Sequence, residues 1–74
     1  MSVRIHPTAI VEDGVRLGEG TSVWDSVHIR KNAQIGEQCI IGEKSYVAYD
    51  VQIGHRVKIN AMVYICAEIG RAHV

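Results

Sequence analysis

The histidines are the side chains of this sequence best suited to move a proton near neutral pH, because an imidazole has a reference pKa of ~6.5. The chain has four of them, at His6, His28, His55 and His73. His28 stands four residues after Trp24 in the stretch VWDSVHI. This pairing makes His28 the first candidate for a substrate contact or a catalytic base, and Trp24 a candidate substrate contact. The alternative is a histidine that packs at a subunit interface.

A six-residue repeat runs through the part of the chain that must position these side chains. Every sixth residue is Ile, Leu or Val, at Ile5, Val11, Leu17, Val23, Ile29, Ile35, Ile41, Val47, Ile53, Ile59 and Ile65. The fourth residue after each is small or β-branched in nearly every repeat, and glycine often follows the aliphatic residue. With 47% of the residues hydrophobic, eleven consecutive matches are not a chance pattern.

A period of six excludes both ordinary secondary structures. An amphipathic helix repeats its apolar residues about every 3.6 positions, and a half-buried strand alternates strictly. Hexapeptide repeats are instead a signature of the parallel β-helix. We therefore predict an all-β chain with three hexapeptides in each triangular coil and residues eighteen apart stacked at about 4.8 Å. Residues 5–70 then make about three and two-thirds coils.

The stacking rule also predicts which outward side chains share a column. Ile10, His28, Tyr46 and Tyr64 form one column, and Trp24 lies at the adjoining corner. Exposed aromatic side chains in such a column are typical of an interface or a ligand groove. This corner is therefore the predicted binding surface.

The remaining histidines of the repeat have simpler interpretations. His55 falls on another face, above Glu37 and Glu19. A surface charge ladder is the favoured interpretation there, with a functional role as the alternative. His6 precedes Pro7 in the first coil, which favours a capping role.

The repeat resembles that of the hexapeptide-repeat acyltransferases, through the segments IHPTAIVEDGVRLGEGTSVW, VHI and IGEKSYVAYDVQIGHRVKINAMVYIC. Within this family the segments look most like nucleotide-sugar N-acetyltransferases. The resemblance implies a left-handed parallel β-helix, a homotrimer, and acetyl-CoA as co-substrate in the cleft between neighbouring β-helices. It also implies acetylation of the amino group of a UDP- or dTDP-linked amino sugar, a reaction that needs an acceptor for the amine's proton, and His28 is our candidate for that role.

The resemblance further implies where the sugar binds. Lys44, Tyr46 and Tyr49 in EKSYVAYD, and Asn60 in KINAMVYIC, lie in the stretch that lines the sugar site of family members. Some relatives carry Gln-Asn where this chain has Glu43 and Lys44, so the type of sugar stays open. The alternatives are a turn role for Asn60 and trimer packing for the tyrosines.

The repeat stops near the C-terminus, and we divide the chain into a lead-in (residues 1–4), a β-helix (residues 5–68) and a tail (residues 69–74). Arg71 occupies the next aliphatic position, and the tail IGRAHV is the translation of ATC GGA AGA GCA CAC GTC, the start of a common sequencing adapter. We interpret the tail as foreign and the chain as an N-terminal fragment that is inactive alone. A natural short protein is the alternative. An independent read with continuous coding DNA through His73 would exclude the adapter.

Composition limits the partners. Eight basic and eight acidic residues are interspersed and give a formal net charge of zero. This balance argues against nucleic acid or an anionic membrane as a partner. No apolar run is long enough to span a bilayer and no signal-peptide pattern opens the chain, so we expect a cytoplasmic protein. Cys39 is predicted to be buried, and Cys66 lies twenty-seven residues later, which is not a stacking distance for a disulfide.

Two other functions are compatible with a β-helix. A zinc-dependent β-helix carbonic anhydrase needs three converging histidines. His6, His28 and His55 are separated by 22 and 27 residues, and neither spacing is a multiple of eighteen. This pattern disfavours a metal site. A non-catalytic scaffold or trimerisation module is the stronger alternative, and it would be recognised by its failure to bind CoA.

Overall fold

The computed structural model describes residues 2–66, which form eleven two-residue strands joined by turns. The strands are β1 (Arg4–Ile5), β2 (Ile10–Val11), β3 (Arg16–Leu17), β4 (Ser22–Val23), β5 (His28–Ile29), β6 (Gln34–Ile35), β7 (Ile40–Ile41), β8 (Tyr46–Val47), β9 (Gln52–Ile53), β10 (Lys58–Ile59) and β11 (Tyr64–Ile65). The tail predicted to be foreign lies outside the described residues, as do the last two residues of the predicted β-helix.

The strands stack into three parallel sheets that form the faces of a triangular prism. Face A has the order β1-β4-β7-β10, face B the order β2-β5-β8-β11, and face C the order β3-β6-β9. Each strand residue pairs with the residue eighteen positions later, as Val23 does with Ile41. At three strands per coil, eleven strands make about three and two-thirds coils. The predicted parallel β-helix and its register are confirmed, and left-handed winding stays a prediction from the resemblance.

The core is the column of aliphatic side chains inside the prism. Each of these residues is the second of its strand, and successive side chains of a strand point to opposite faces, so all of them point inward. Ile29, Ile41 and Ile59 are fully enclosed, at 0% exposure. In the first coil the equivalent Ile5 retains 45% exposure. It is open because no described coil covers its outer side.

Buried hydroxyl groups tie successive coils together at the corners. Thr21 Oγ1 donates to the carbonyl of Gly36 over 2.7 Å and accepts from the N–H of Cys39 over 3.1 Å. Ser45 Oγ donates in the same way to the carbonyl of Asn60 over 2.9 Å. These bonds satisfy backbone groups that would otherwise be buried without a partner where the strands end.

The two cysteines have different environments. Cys39 is buried, as predicted, and Cys66 is exposed; both are free thiols. The Sγ of Cys39 lies 3.0 Å from the carbonyl oxygen of Gly54 in the next coil. The described residues contain no helix that is long and apolar enough to cross a membrane.

The corner turns place one residue per hexapeptide in the left-handed region of backbone conformation. Positive φ recurs every six residues, at Gly14, Gly20, Ser26, Asn32, Gln38, Lys44, Asp50, Arg56 and Met62. The turn residue can then bond to the preceding coil, as when the N–H of Arg56 donates to the carbonyl of Glu37 over 2.8 Å. A left-handed conformation costs an L-residue about 1–2 kcal/mol, so these turns need the coil-to-coil bonds to hold them.

Replacing Arg56 by valine is expected to lower the free energy of unfolding by about 1–3 kcal/mol, because a β-branched side chain is strained at positive φ. Arg56 is exposed and has a φ of 54°, so few other contacts are lost. Arg56→Gly is the control, and its effect is expected to stay under about 1 kcal/mol. Chemical denaturation of both variants checks the prediction. Equal losses in both would contradict it.

Candidate functional site

A hydrogen-bonded cluster of ionisable side chains lies on face B and centres on Glu12. Glu12 Oε2 accepts a bond from His28 Nε2 over 2.7 Å. Glu12 Oε1 accepts from Arg30 Nε over 3.1 Å and from the backbone N–H of Lys31 over 3.0 Å. Both carboxylate oxygens are therefore occupied.

The register of the β-helix brings these side chains together. Glu12 directly follows β2 and Arg30 directly follows β5, and eighteen residues separate them. They flank the inward residues Val11 and Ile29 and therefore point outward, one above the other. His28 precedes Ile29 on the same strand and faces outward as well. Its ring reaches Glu12 diagonally across the pair of strands.

The cluster continues into an aromatic column. Arg30 Nη1 donates to Tyr46 Oη over 2.7 Å. The His28 ring meets Tyr46 edge-on, with centroids 5.7 Å apart, and Tyr46 stacks on Tyr64 at 4.8 Å with an interplanar angle of 15°. The predicted column is thus confirmed. Together with the bond from His28 to Glu12, the ring contacts join side chains from four successive coils.

Interactions within the cluster shift the pKa values of Glu12 and Arg30. Hydrogen bonding from His28, then the guanidinium of Arg30 and the N–H of Lys31, lowers the pKa of Glu12, against an opposing effect of partial burial. The hydrogen bond to Tyr46, followed by the interaction with Glu12, raises the pKa of Arg30. At neutral pH this arrangement favours a carboxylate at Glu12 and a guanidinium at Arg30.

The lowered pKa of Glu12 predicts a pH dependence of stability. A carboxyl group whose pKa is lower in the folded state stabilises the fold above its unfolded pKa, and this contribution is lost as the pH falls through the folded pKa. Wild type is therefore expected to exceed Glu12→Gln in stability at pH 7, and the difference is expected to narrow below about pH 5. Denaturation midpoints from pH 7 to pH 2 check this.

Asp13→Asn is the matched control, since it removes the same charge one residue away. Among residues 2–66 the Asp13 side chain has no hydrogen-bond partner. If Asp13→Asn reproduced the Glu12→Gln curve, net charge would explain the effect and the cluster would not.

Trp24 and Asn60 meet at a second place, on the neighbouring face A. They line a shallow depression of about 310 Å³ together with Ile40, Gly42 and Lys58. Trp24 is 51% exposed and also borders a depression of about 230 Å³ on its other side. Gly42 lies between the coils of Trp24 and Asn60, and a Cβ there would lie 2.6 Å from the carbonyl carbon of Asn60, so the backbones of Gly42 and Asn60 approach closely at this point.

Lys44 and Tyr49 lie in exposed turns before and after β8. Within the part of the chain that the structure describes, neither joins the hydrogen bonds around Glu12. The six residues predicted for the site therefore separate into a pair on face B (His28 and Tyr46), a pair on face A (Trp24 and Asn60) and two turn residues. Their roles stay predictions.

Glu12 and Arg30 are the members of the cluster that the sequence analysis missed. The signal was available, because two opposite charges eighteen residues apart must stack in a coil of eighteen. On face B the prediction concerned only the column of residues that directly precede the inward aliphatic residues. The column that follows them carries the ion pair.

The other histidines bond elsewhere. His6 Nδ1 lies 2.9 Å from Thr8 Oγ1 within the first turn. The His55 Nδ1 accepts the backbone N–H of Glu37 over 2.8 Å, a contact that the predicted charge ladder did not include. His55 also borders a depression of about 350 Å³ on face C. No three His, Cys, Asp or Glu side chains among residues 2–66 converge as a metal site requires.

Comparison with known proteins finds a family profile and several relatives that match part of this chain. A profile described as bacterial transferase hexapeptide (six repeats) matches residues 32–67. Relatives include acyl-[acyl-carrier-protein]–UDP-N-acetylglucosamine O-acyltransferases of Brucella ovis, Brucella canis and Brucella suis, each 54% identical over 35 residues. These alignments cover 47% of this chain and 13% of each relative, so the chain spans a small part of their length. Residues 32–67 therefore match the repeat that this family profile describes, and the other described residues continue the same fold.

Proposed function

We propose that this chain is part of an acyltransferase that acts on a nucleotide-linked sugar. The observation that carries the proposal is the match of residues 32–67 to the bacterial transferase hexapeptide family. The Brucella relatives, by their names, acylate UDP-N-acetylglucosamine, which supports the nucleotide-sugar class. The cluster around His28 supplies a proton acceptor beside an exposed aromatic column.

The finer form of the proposal is N-acetylation with acetyl-CoA as donor. The neutral amine of the sugar attacks the thioester carbonyl and forms a C–N bond. His28 accepts the proton that the amine loses, the tetrahedral intermediate collapses, and the C–S bond breaks. The CoA thiolate then takes the proton from His28, which gives CoA and the N-acetylated sugar. Alignment of the two substrates and general-base catalysis together accelerate the reaction.

The co-substrate needs more room than one prism offers. The depressions on the faces of the described residues have volumes of about 230 to 350 Å³ and are open to solvent. A cleft for CoA would therefore form between neighbouring copies, as a homotrimer provides. Trp24, Lys44, Tyr46, Tyr49 and Asn60 are the proposed sugar contacts. The proposed location is the cytoplasm, where acetyl-CoA and nucleotide sugars are available.

The test uses the full-length product of the gene alongside the 74-residue chain, which we expect to be inactive alone. Each is incubated with acetyl-CoA and either a UDP- or a dTDP-linked amino sugar, and a parallel reaction pairs acyl-[acyl-carrier-protein] with UDP-N-acetylglucosamine. Thiol release and product mass are measured. An N-acetylated sugar supports the finer proposal, and an O-acylated sugar supports only the acyltransferase class. No transfer and no CoA binding by the full-length protein would favour the scaffold.

A further inference from the structure

We propose that Glu12 is a positioning residue that holds neutral His28 as the Nε2–H tautomer, so that Nδ1 is the nitrogen that takes the proton. The role of Nδ1 in acyl transfer rests on the proposed function. The tautomer itself does not, and it can be measured in the absence of any reaction.

The first step is the identity of the donor. Glu12 Oε2 lies 2.7 Å from His28 Nε2. An ionised carboxylate can only accept hydrogen bonds, so the proton of this bond belongs to Nε2. Glu12 is kept ionised by the cationic and N–H groups around it.

The second step is the rigidity of the carboxylate. Its other oxygen, Oε1, is held by Arg30 Nε over 3.1 Å and by the backbone N–H of Lys31 over 3.0 Å. Arg30 is held in turn by Tyr46 Oη over 2.7 Å. Glu12 therefore cannot turn away from His28 without breaking three bonds. A carboxylate whose orientation is fixed by other hydrogen bonds determines which nitrogen of the neutral imidazole carries the proton.

The third step is the free nitrogen. In the part of the chain that the structure describes, no group forms a hydrogen bond with Nδ1 of His28, so its lone pair is available. Serine protease triads use the opposite arrangement, since their carboxylate accepts a hydrogen bond from Nδ1–H and leaves Nε2 as the base. A substrate amine would here approach the side of the ring that lies nearer the backbone, which narrows the permitted orientations of the sugar.

The test is a two-bond ¹H–¹⁵N spectrum of protein labelled with ¹⁵N-histidine, recorded above about pH 8.5 so that imidazoles are neutral. The His28 signals are assigned by their loss in His28→Asn. We expect wild type to show protonated Nε2 and unprotonated Nδ1, with an Nε2 proton slow enough in exchange to be observed. That proton is expected to disappear in Glu12→Ala and to persist in the control Asp13→Ala. Protonated Nδ1 in wild type would overturn the inference without any variant.

Kinetics of the full-length protein separate this inference from the proposed function. Glu12→Ala is expected to lower kcat by roughly 100-fold with little change in KM, as a misplaced catalytic group does. Asp13→Ala is expected to leave both constants unchanged. If His28→Ala were inactive while Glu12→Ala kept full activity, the positioning role would be wrong and the proposed function would stand. If no variant and no wild type transferred an acyl group, the proposed function would fail and the spectrum would still decide the tautomer.

Discussion

Replacing His28 by alanine is expected to lower kcat for acyl transfer by about 100- to 10,000-fold, the range that a general base contributes. KM for the nucleotide sugar is expected to change far less, because the proton is transferred in the transition state and not in the bound ground state. The change would leave the attacking amine without an acceptor on face B. Steady-state kinetics of the full-length protein, with the oligomeric state measured by light scattering, check both parts.

The matched control is His55→Ala, which removes a histidine from face C, where its Nδ1 is already bonded to the backbone of Glu37. This variant is expected to keep kcat within about threefold of wild type, as an exposed substitution outside the site usually does. The alternative interpretation of His28, a residue that packs subunits together, has its own signature. In that case His28→Ala would lower the oligomeric state and leave kcat of the remaining assembly nearly unchanged. That result would contradict a role of His28 as base.

Replacing Ile41 by alanine is expected to lower the free energy of unfolding by about 2–5 kcal/mol, the usual cost of emptying a fully enclosed aliphatic position. Ile41 has 0% exposure and is stacked between Val23 and Ile59 in the inward column of face A. Neighbouring coils cannot move closer to fill the space, because their separation is fixed by the backbone bonds of the sheet. Chemical denaturation of wild type and variant measures the loss.

Ile40→Ala is the control for this prediction, since it makes the same chemical change at the adjacent residue of β7. Ile40 points outward and is 39% exposed. Its replacement is expected to cost less than about 1 kcal/mol, because little apolar surface returns to water. Similar losses in the two variants would mean that the interior of the prism does not carry the stability of the fold.

Most of the fold could be predicted from the spacing of its aliphatic residues. A period of six determines where each strand and turn begins, and three periods determine which residues stack. Those rules alone are sufficient to give the pairs Val23 with Ile41 and His28 with Tyr46, which the structure contains. They could not predict the solvent exposure of Ile5, because the repeat pattern is the same in every coil. Exposure depends instead on whether a neighbouring coil covers the residue.

The site was less predictable because it depends on side-chain direction as well as register. Stacking placed His28 beside the tyrosines correctly. The bond from His28 to Glu12 is diagonal, however, and joins residues sixteen apart, a distance that the repeat does not mark. The separation of Trp24 and Asn60 from His28 has a related cause. The turn between β4 and β5 changes the direction of the chain, so residues close in sequence face different sides of the prism.

The eighteen-residue register has a consequence for how such a protein can change over generations. A duplication or loss of one whole coil moves every later side chain along the axis and leaves it on the same face, in the same column. An insertion of any other length rotates the whole downstream pattern unless it bulges out as a loop. The length of the molecule and the chemistry displayed on its sides can therefore vary independently, provided that genetic change comes in multiples of fifty-four nucleotides.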